Sequence, residues 1–382
     1  MNSHLDKSFN LINLLNINKS FYIIVYYAEK KSNIIKIMFF FIIIFIILKK
    51  PNKKKIGVVG LKNHNNIGNN LVKFSMYIKL KEFGFEPTII GFSSKYQNYD
   101  FLKKHVKLKE VSKTFSELKE NDYNILMVNS DQTWNGNKNN TTLLLNYGYL
   151  KFAENWTIPR FVYGASLGVN HWKFSKNFDI MARRLITKFS DFSVRERDSI
   201  KLVKKHLGVN PQFVLDPTFI IDKKYYLDLI KDFKVNFHSK EKYLCIYQLD
   251  KNKKIEKLIK KVSKKYNYTI YKINRFKDNY IENFIFYINI SNAVITDSYH
   301  GTIFSIIFKK PFISFINTRR GKGWFISLIK TFNLNKRIIL PKNFTKININ
   351  LLQKPLNINQ TLFNYLKNNS INYLKKNLNI KT

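Results

Sequence analysis

The chain has 382 residues, of which 45% are hydrophobic and 15% aromatic, and this composition excludes an intrinsically disordered protein. Its single cysteine, Cys245, excludes an intramolecular disulfide and a zinc site built from cysteines. The formal net charge of +41 is extreme, but the lysines are scattered and no arginine-rich stripe alternates with aromatics. We therefore expect no specific nucleic-acid partner, and a surface that attracts acidic lipids, lipid-linked glycans and small phosphorylated substrates.

The first distinctive segment is an apolar run at residues 34–48, with Lys31 before it and Lys49 and Lys50 after it. A helix that spans a bilayer needs about 20 apolar residues, so this run is short, and no small-residue cleavage site marks a signal peptide. A membrane anchor and a simple extension ahead of the folded part both stay open. We assign residues 1–53 to an N-terminal extension. We expect a cytoplasmic protein with peripheral contact at the inner face of the cytoplasmic membrane.

The folded part is predicted to begin with a βαβ unit. Residues 55–60 form a short apolar strand, residues 71–83 carry apolar side chains at helical spacing, and residues 87–91 form the next strand. The unit lacks the G-x-G-x-x-G fingerprint, which disfavours a dinucleotide site. Further strand-and-turn segments are predicted at residues 124–129, 161–168, 191–196 and 213–218.

A second alternation of strands and helices begins near Lys242. It predicts an α/β fold with two Rossmann-like domains, each built on a parallel sheet. We assign residues 54–222 to the N-terminal domain, 223–340 to the C-terminal domain, and 341–382 to a Lys/Asn-rich, partly helical tail. The strands of the second domain are predicted at residues 243–248, 269–273, 293–296 and 311–316, and the helices at 253–265 and 282–289.

Polar residues follow several of these strands. In an open α/β sheet, ligands bind beyond the carboxyl ends of the strands, so two facing domains would bring such residues to one cleft. Structural alternatives stay open: Asp131 as a turn former, and Arg195 with Glu196 as an ion pair. For Asp216, which precedes Pro217, a structural turn is favoured over chemistry. The residues concerned are Asp131, Gln132, Ser166, Arg195, Glu196, Asp216 and those at 297–300.

The most informative segment runs from residue 295 to residue 308. It reads as the end of a buried strand, a polar turn and the start of an apolar helix. His300 titrates near neutral pH and can move protons. Gly301 permits a close backbone approach, and the helix start favours an anion. The alternative is a helix capped by Asp297 or Ser298, with a histidine that only satisfies the backbone.

Six short segments together resemble the polysaccharide pyruvyl transferase family. They occur in the family's order, and the resemblance covers about residues 55–337. The segments are NIGN at 66–69 (family N-Y-G), NSDQTWN at 129–135 (GSDQVWN), YGASLG at 163–168 (YAASFG), SVRE at 193–196, LDPT at 215–218 (DPT) and TDSYHGTIFS at 296–305 (TDSFHGTIFS).

This resemblance implies a GT-B-like arrangement of the two Rossmann-like domains, with the active site in the cleft between them. It implies transfer of a pyruvyl group from phosphoenolpyruvate to a sugar of a cell-surface polysaccharide or its lipid-linked precursor, which gives a pyruvate ketal. It implies no metal and no organic cofactor, since phosphoenolpyruvate is itself the donor substrate.

Site residues follow from the same resemblance, by matching position. His300 is the implied catalytic or phosphate-contacting histidine, and Arg195 the implied ligand of the donor's carboxylate or phosphate. Asp131 or Asp297 could act as a base toward the attacking hydroxyl, ranked below His300. The remaining substrate-binding assignments are Gln132, Ser166, Glu196, Ser298, Gly301 and Thr302.

Two positions depart from the family pattern. Ser298 stands where some members carry an arginine, and Asn129 replaces the glycine of GSDQVWN. A guanidinium suits a carboxylate or a phosphate, and Arg319, Arg320 and Lys322 could supply that charge instead. Ser298 leaves open a catalytically inactive glycan-binding relative. The two-domain cleft leaves open a GT-B-like glycosyltransferase that uses a sugar nucleotide.

Overall fold

The computed structural model describes residues 53–61, 66–92, 98–135, 141–169, 171–233, 241–274, 279–318 and 320–381. The chain divides into two compact units, Met1–Lys53 and Lys54–Thr382, and the fold is that of the second unit. The apolar segment at 34–48 and Arg319 lie outside the described residues. Among the helices that the structure describes, none is long and apolar enough to cross a membrane.

The first half of the folded unit is built on a parallel sheet. Its strands, where described, follow the order β3-β2-β1-β4-β5-β6-β7. Strand β1 lies in the interior of the sheet, since Val58 pairs with Ile89 on one side and Met127 on the other. The strands are β1 (Lys55–Val59), β2 (Glu86–Phe92), β3 (Leu108–Val111), β4 (Ile125–Val128), β5 (Arg160–Ala165), β6 (Asp191–Val194) and β7 (Gln212–Phe213).

A second parallel sheet forms the other half, and its described strands follow the order β12-β11-β10-β8-β9. Strand β10 is central and buried along its length, and Ile295 pairs with Ile246 and Ile313. Apolar residues fill β10 without alternation because helices cover both faces of a parallel sheet. The strands are β8 (Tyr243–Tyr247), β9 (Thr269–Lys272), β10 (Ala293–Thr296), β11 (Phe312–Phe315) and β12 (Ile338–Ile339).

The helices connect the strands and cover the sheets. In the amphipathic helix Lys253–Tyr266, for example, Ile255, Ile259 and Val262 are buried at helical spacing. The α-helices of the described residues are α1 (Ile67–Glu82), α2 (Asn98–His105), α3 (Thr141–Tyr149), α4 (Lys176–Ile186), α5 (Arg197–Leu207), α6 (Lys224–Asp228), α7 (Lys253–Tyr266), α8 (Tyr280–Ile290), α9 (Tyr299–Ile307), α10 (Gly323–Phe332) and α11 (Gln360–Asn377).

The two halves share a continuous apolar core. The ring of Tyr226 packs edge-on against Phe304, with 4.9 Å between the centroids, and its hydroxyl lies 2.8 Å from that of Ser75. The C-terminal helix α11 returns to the first sheet, where the Tyr373 hydroxyl donates to the Val162 carbonyl at 2.7 Å. These contacts hold the carboxyl ends of the two sheets toward one another.

The prediction of two parallel-sheet α/β halves is confirmed. The structure adds details that the sequence pattern did not give. The short strands β3 and β12 and the helices α2, α3, α4, α6 and α10 were not predicted, and β7 overlaps only the start of the predicted segment 213–218. Helix α1 also begins before the predicted residue 71, because the Asn66 side chain caps it by accepting from the Asn69 N–H.

Candidate functional site

The carboxyl ends of β4, β5 and β6 meet the start of α9 from the second sheet. Asp131 follows β4 with a φ of 89°, in the left-handed region, and its carbonyl accepts the Ser166 N–H at 3.0 Å. This backbone bond joins the ends of β4 and β5 and aims the Asp131 side chain toward Arg195. A positive φ is uncommon for a residue other than glycine, so the surrounding contacts must hold Asp131 in this conformation.

Arg195 lies at the centre of this junction with its side chain only 1% exposed. Its Nη1 donates to Asp216 at 2.6 Å, its Nη2 to Asp131 at 3.0 Å and its Nε to Glu196 at 3.4 Å. The guanidinium carbon also lies 5.2 Å from the ring centre of Tyr299, which comes from the second half. Arg195 thus binds three carboxylates of the protein, and the structure does not place it on a cleft wall as expected for a donor ligand.

The close charges shift the pKa values of the cluster. Burial alone would raise the pKa of Asp131, but Arg195 and the Asn69 amide hold that pKa below its ordinary value. Burial raises the pKa of Glu196 in spite of Arg195 beside it. Burial alone would lower the pKa of Arg195, whereas Asp216 and Asp131 raise it above its ordinary value. The guanidinium and Asp131 therefore stay charged near neutral pH.

His300 lies in the first turn of α9, which Ser298 caps by accepting the Gly301 N–H at 3.3 Å. Its buried Nε2 lies 3.8 Å from Asp216 Oδ2 and has no hydrogen-bond partner. Burial lowers the pKa of His300, and the nearby Asp216 does not restore it. The imidazole is therefore neutral near pH 7, with a carboxylate beside one ring nitrogen.

The first turn of α1 closes the other side of His300. A Cβ added at Gly68 would lie 1.9 Å from His300 Nδ1, so only a glycine permits this approach. The next residue, Asn69, donates its amide to Asp131 Oδ2 at 2.9 Å. Neither residue was predicted as part of the site. Both residues belong to the NIGN segment, but the residue that Gly68 contacts, His300, comes from the other half of the protein.

A cleft of about 390 Å³ opens at this junction, between the two halves. It brings together four predicted site residues: Gln132 from the first half, and Asp297, Ser298 and His300 from the second. Its other lining residues are Asn66, Tyr247, Leu249, Tyr280, Tyr299, Arg320, Trp324 and Phe325.

Asp297 lies on a wall that this cleft shares with a second one of about 400 Å³. Its carboxylate accepts the Leu249 N–H at 2.6 Å, the Asp250 N–H at 3.1 Å and the Asn317 amide at 3.2 Å. Burial raises the pKa of Asp297, and these bonds oppose the shift. The contacts give Asp297 a structural task, which is to hold the turn after β8.

Besides Arg195, four predicted substrate-binding residues lie outside the lining of the cleft. The Thr302 hydroxyl donates to the Ser298 carbonyl and lies 2.7 Å from the Ser314 hydroxyl. Gly301 packs against Thr296, and a Cβ there would lie 2.3 Å from the threonine oxygen. Ser166 accepts from Trp324 Nε1 at 2.9 Å, and Glu196 accepts from Ser199 at 3.0 Å. These residues build the junction beneath the cleft.

The model of one family matches this chain: polysaccharide pyruvyl transferase, over residues 66–319. The chain belongs to this family. The match begins at the cap of α1 and includes Asp131, Arg195, Asp216 and His300. Membership supports transfer of a pyruvyl group to a polysaccharide. No curated protein sequence matches the chain.

Solved structures resemble this chain in fold. UDP-GlcNAc 2-epimerase from Neisseria meningitidis, bound to UDP-GlcNAc, is 10% identical with a TM-score of 0.53, and the match covers 86% of this chain and 100% of that one. The epimerase from Methanocaldococcus jannaschii is 11% identical with a TM-score of 0.53, over 84% and 99%. S. aureus MnaA with UDP is 13% identical with a TM-score of 0.53, over 86% and 98%. The GT-B-like arrangement is confirmed.

Two cationic side chains lie near the rim of the cleft, and one of them is bonded to a carboxylate. Arg320 lines the cleft, and its guanidinium forms two bonds with Asp250, at 2.9 and 2.8 Å. Lys322 is exposed just beyond it. In the described part of the chain, no group of three or more His, Cys, Asp or Glu side chains could hold a metal ion. The arrangement offers proton transfer by an imidazole backed by a carboxylate.

Proposed function

We propose that this transferase moves a pyruvyl group from phosphoenolpyruvate to a sugar of a cell-surface polysaccharide or its lipid-linked precursor and forms a pyruvate ketal. One observation carries the proposal. The imidazole of His300 is buried and neutral, lies on the wall of the cleft, and has a carboxylate 3.8 Å from its Nε2. A histidine in such a place suits a reaction that takes a proton to carbon and removes one from a hydroxyl.

The donor fits the charge of this end of the cleft. Phosphoenolpyruvate carries a carboxylate and a phosphate, and the first turns of α1 and α9 meet at Gly68 and His300. Helix N-termini attract anions through their free N–H groups and their dipoles. An anion bound there also favours imidazolium, so donor binding would raise the pKa of His300 and charge it for proton donation.

His300 gives its proton to the methylene carbon of phosphoenolpyruvate, and positive charge builds on the central carbon. A sugar hydroxyl attacks that carbon, and its proton returns to the imidazole. The bond from this carbon to the phosphate oxygen breaks, a second hydroxyl of the sugar attacks, and its proton leaves with the phosphate. Asp216 stabilises the imidazolium form throughout.

Arg195 has a positioning task in this proposal. It holds Asp131 and Asp216 from two different loops, and these carboxylates lie against Asn69 and His300 respectively. Removing the guanidinium would leave buried carboxylates without a counter-charge. Arg195 therefore fixes the imidazole rather than the donor.

The experiment that tests the proposal compares donors. Purified full-length protein is incubated with a panel of lipid-linked saccharides and either phosphoenolpyruvate or UDP-sugars, and products are analysed by mass spectrometry. We expect phosphate release and a pyruvylidene-modified saccharide with phosphoenolpyruvate only. Sugar transfer from a UDP-sugar would favour the glycosyltransferase. The epimerase-like fold by itself does not favour either of these two functions. Glycan binding with neither donor consumed would favour the inactive relative.

A further inference from the structure

Helix α4 carries two adjacent apolar side chains that face solvent. Ile180 is 67% exposed and Met181 is 37% exposed. The inner face of the helix is already complete, since Phe178, Ala182 and Leu185 are buried against the first half of the protein. Core packing therefore does not account for Ile180 and Met181.

The helical neighbours of Ile180 are basic. On a helix surface the residues three and four positions away are adjacent. For Ile180 these include Lys176, Arg183 and Arg184, all exposed. Of the acidic residues nearby, Asp179 accepts from Trp172 Nε1 at 2.7 Å, and Glu154 pairs with Arg184 at 3.0 Å, so the net positive charge of this face comes from Lys176 and Arg183. The face is thus an apolar tip within a cationic rim.

A third exposed apolar residue offers a contrast within the described chain. Tyr365 on α11 is 61% exposed, but the residues three and four positions from it are Thr361, Leu362, Asn368 and Asn369. Single exposed apolar side chains are common on protein surfaces. An adjacent pair within a basic rim is a different feature, because both properties suit one partner.

We propose that the exposed face of α4 docks on an anionic membrane surface. Ile180 and Met181 would enter the boundary between headgroups and acyl chains, while Lys176 and Arg183 meet lipid phosphates. A nucleic acid would use the charges and leave the apolar pair without a partner. A second copy of the chain would place two basic rims against each other, which costs energy in a protein of net charge +41.

The test is a site-specific labelling experiment. It is possible because the only cysteine of the chain, Cys245, is buried and stays unlabelled. The full-length Met181→Cys and Tyr365→Cys variants are labelled with an environment-sensitive fluorophore and mixed with phosphatidylglycerol or phosphatidylcholine vesicles. We expect a blue shift only for the label at 181 and only with phosphatidylglycerol. The proposal is overturned if the protein sediments with vesicles while this label stays unshifted, or if both labels shift alike.

Charge variants supply the second measurement. Lys176→Gln should weaken binding to phosphatidylglycerol vesicles about fivefold, whereas Lys264→Gln on α7 removes the same charge elsewhere and should not. Equal effects would mean attraction by net charge alone and would contradict a docking face. A label shift at 181 caused by RNA, or by self-association without vesicles, would assign the face to that partner instead. None of these readouts measures pyruvyl transfer, so the proposed reaction can fail independently.

Discussion

Gly68 and His300 are in such close contact that a Cβ at position 68 would lie 1.9 Å from His300 Nδ1. The two residues belong to helices from different halves of the protein, and the cleft opens where these helices begin. The orientation of the imidazole therefore depends on the absence of a side chain on the opposite helix.

We predict that Gly68→Ala lowers kcat/KM for phosphoenolpyruvate about 100-fold, because a shift of a catalytic group by about 1 Å is enough for such a loss. The control is Gly323→Ala at the start of α10, where a Cβ would meet its nearest atom at 3.7 Å, an ordinary contact. Steady-state phosphate release checks both variants. Full activity of Gly68→Ala would show that the imidazole need not stay in this position.

Arg195→Met should lower the free energy of unfolding by about 3–5 kcal/mol, because it leaves Asp131, Asp216 and Glu196 buried without their cation. Arg184→Met removes an exposed pair with Glu154 and should cost no more than about 1 kcal/mol. Urea denaturation followed by circular dichroism measures both. A rise in KM for phosphoenolpyruvate with unchanged stability would instead support the donor-binding role first expected for Arg195.

The lowered pKa of His300 predicts a pH dependence. The pKa of the unfolded chain is near 6.5, so below that pH the unfolded state binds a proton that the folded state resists. His300 therefore costs stability as the pH falls below about 6.5 and has no such effect above it. The free energy of unfolding of the wild type should thus fall relative to that of His300→Gln as the pH is lowered from 7.5 to 5.5. A constant difference between the two proteins would contradict the lowered pKa.

Asp216 should act on His300 in the opposite direction to burial. Its carboxylate favours the imidazolium, so Asp216→Asn should lower the pKa of His300 further. NMR titration of isotope-labelled histidines measures this directly, with His300→Gln used to assign the signal. An unchanged pKa in Asp216→Asn would mean that the 3.8 Å approach has no electrostatic effect in solution.

Trp324 joins the two halves through its bond to Ser166, so Trp324→Phe should cost about 1 kcal/mol of unfolding free energy and lower kcat/KM. Trp172→Phe loses a similar indole bond, to Asp179 within the first half, and should affect stability alone. Denaturation and phosphate-release assays separate the two effects. Equal activity losses in the two variants would contradict a specific role in activity for the bond that Trp324 forms between the halves.

The sequence predicted the parts of the fold that local pattern controls. The run before Asn129 is apolar throughout and forms the buried strand β4, and the strand–turn–helix around His300 lies where the pattern put it. Helix α1 was predicted too short because Asn69 and Asn70 in its first turn resemble a loop. Both residues are buried, and the Asn69 amide bonds to Asp131, which is far along the chain.

In the site, too, local contacts were predictable from the sequence and long-range contacts were not. Asp216 was judged a structural turn residue, and its Oδ1 does accept the Thr218 N–H at 3.1 Å. Its Oδ2, however, meets Arg195 at 2.6 Å and lies 3.8 Å from His300. The local turn motif predicts the contact of Oδ1. The contacts of Oδ2 depend on how the two halves pack and could not be predicted from the motif. For the same reason the sequence could not tell that Arg195 is enclosed by carboxylates.

His300 is the residue on which the proposed chemistry depends most. The most direct measurement compares phosphoenolpyruvate-dependent phosphate release by the wild type, by His300→Ala and by His171→Ala, which removes an exposed histidine. With a lipid-linked acceptor present, we expect His300→Ala to lose about 10²–10⁴-fold in kcat and His171→Ala to keep wild-type activity. A folded His300→Ala protein that releases phosphate as fast as the wild type would contradict the catalytic role of this imidazole.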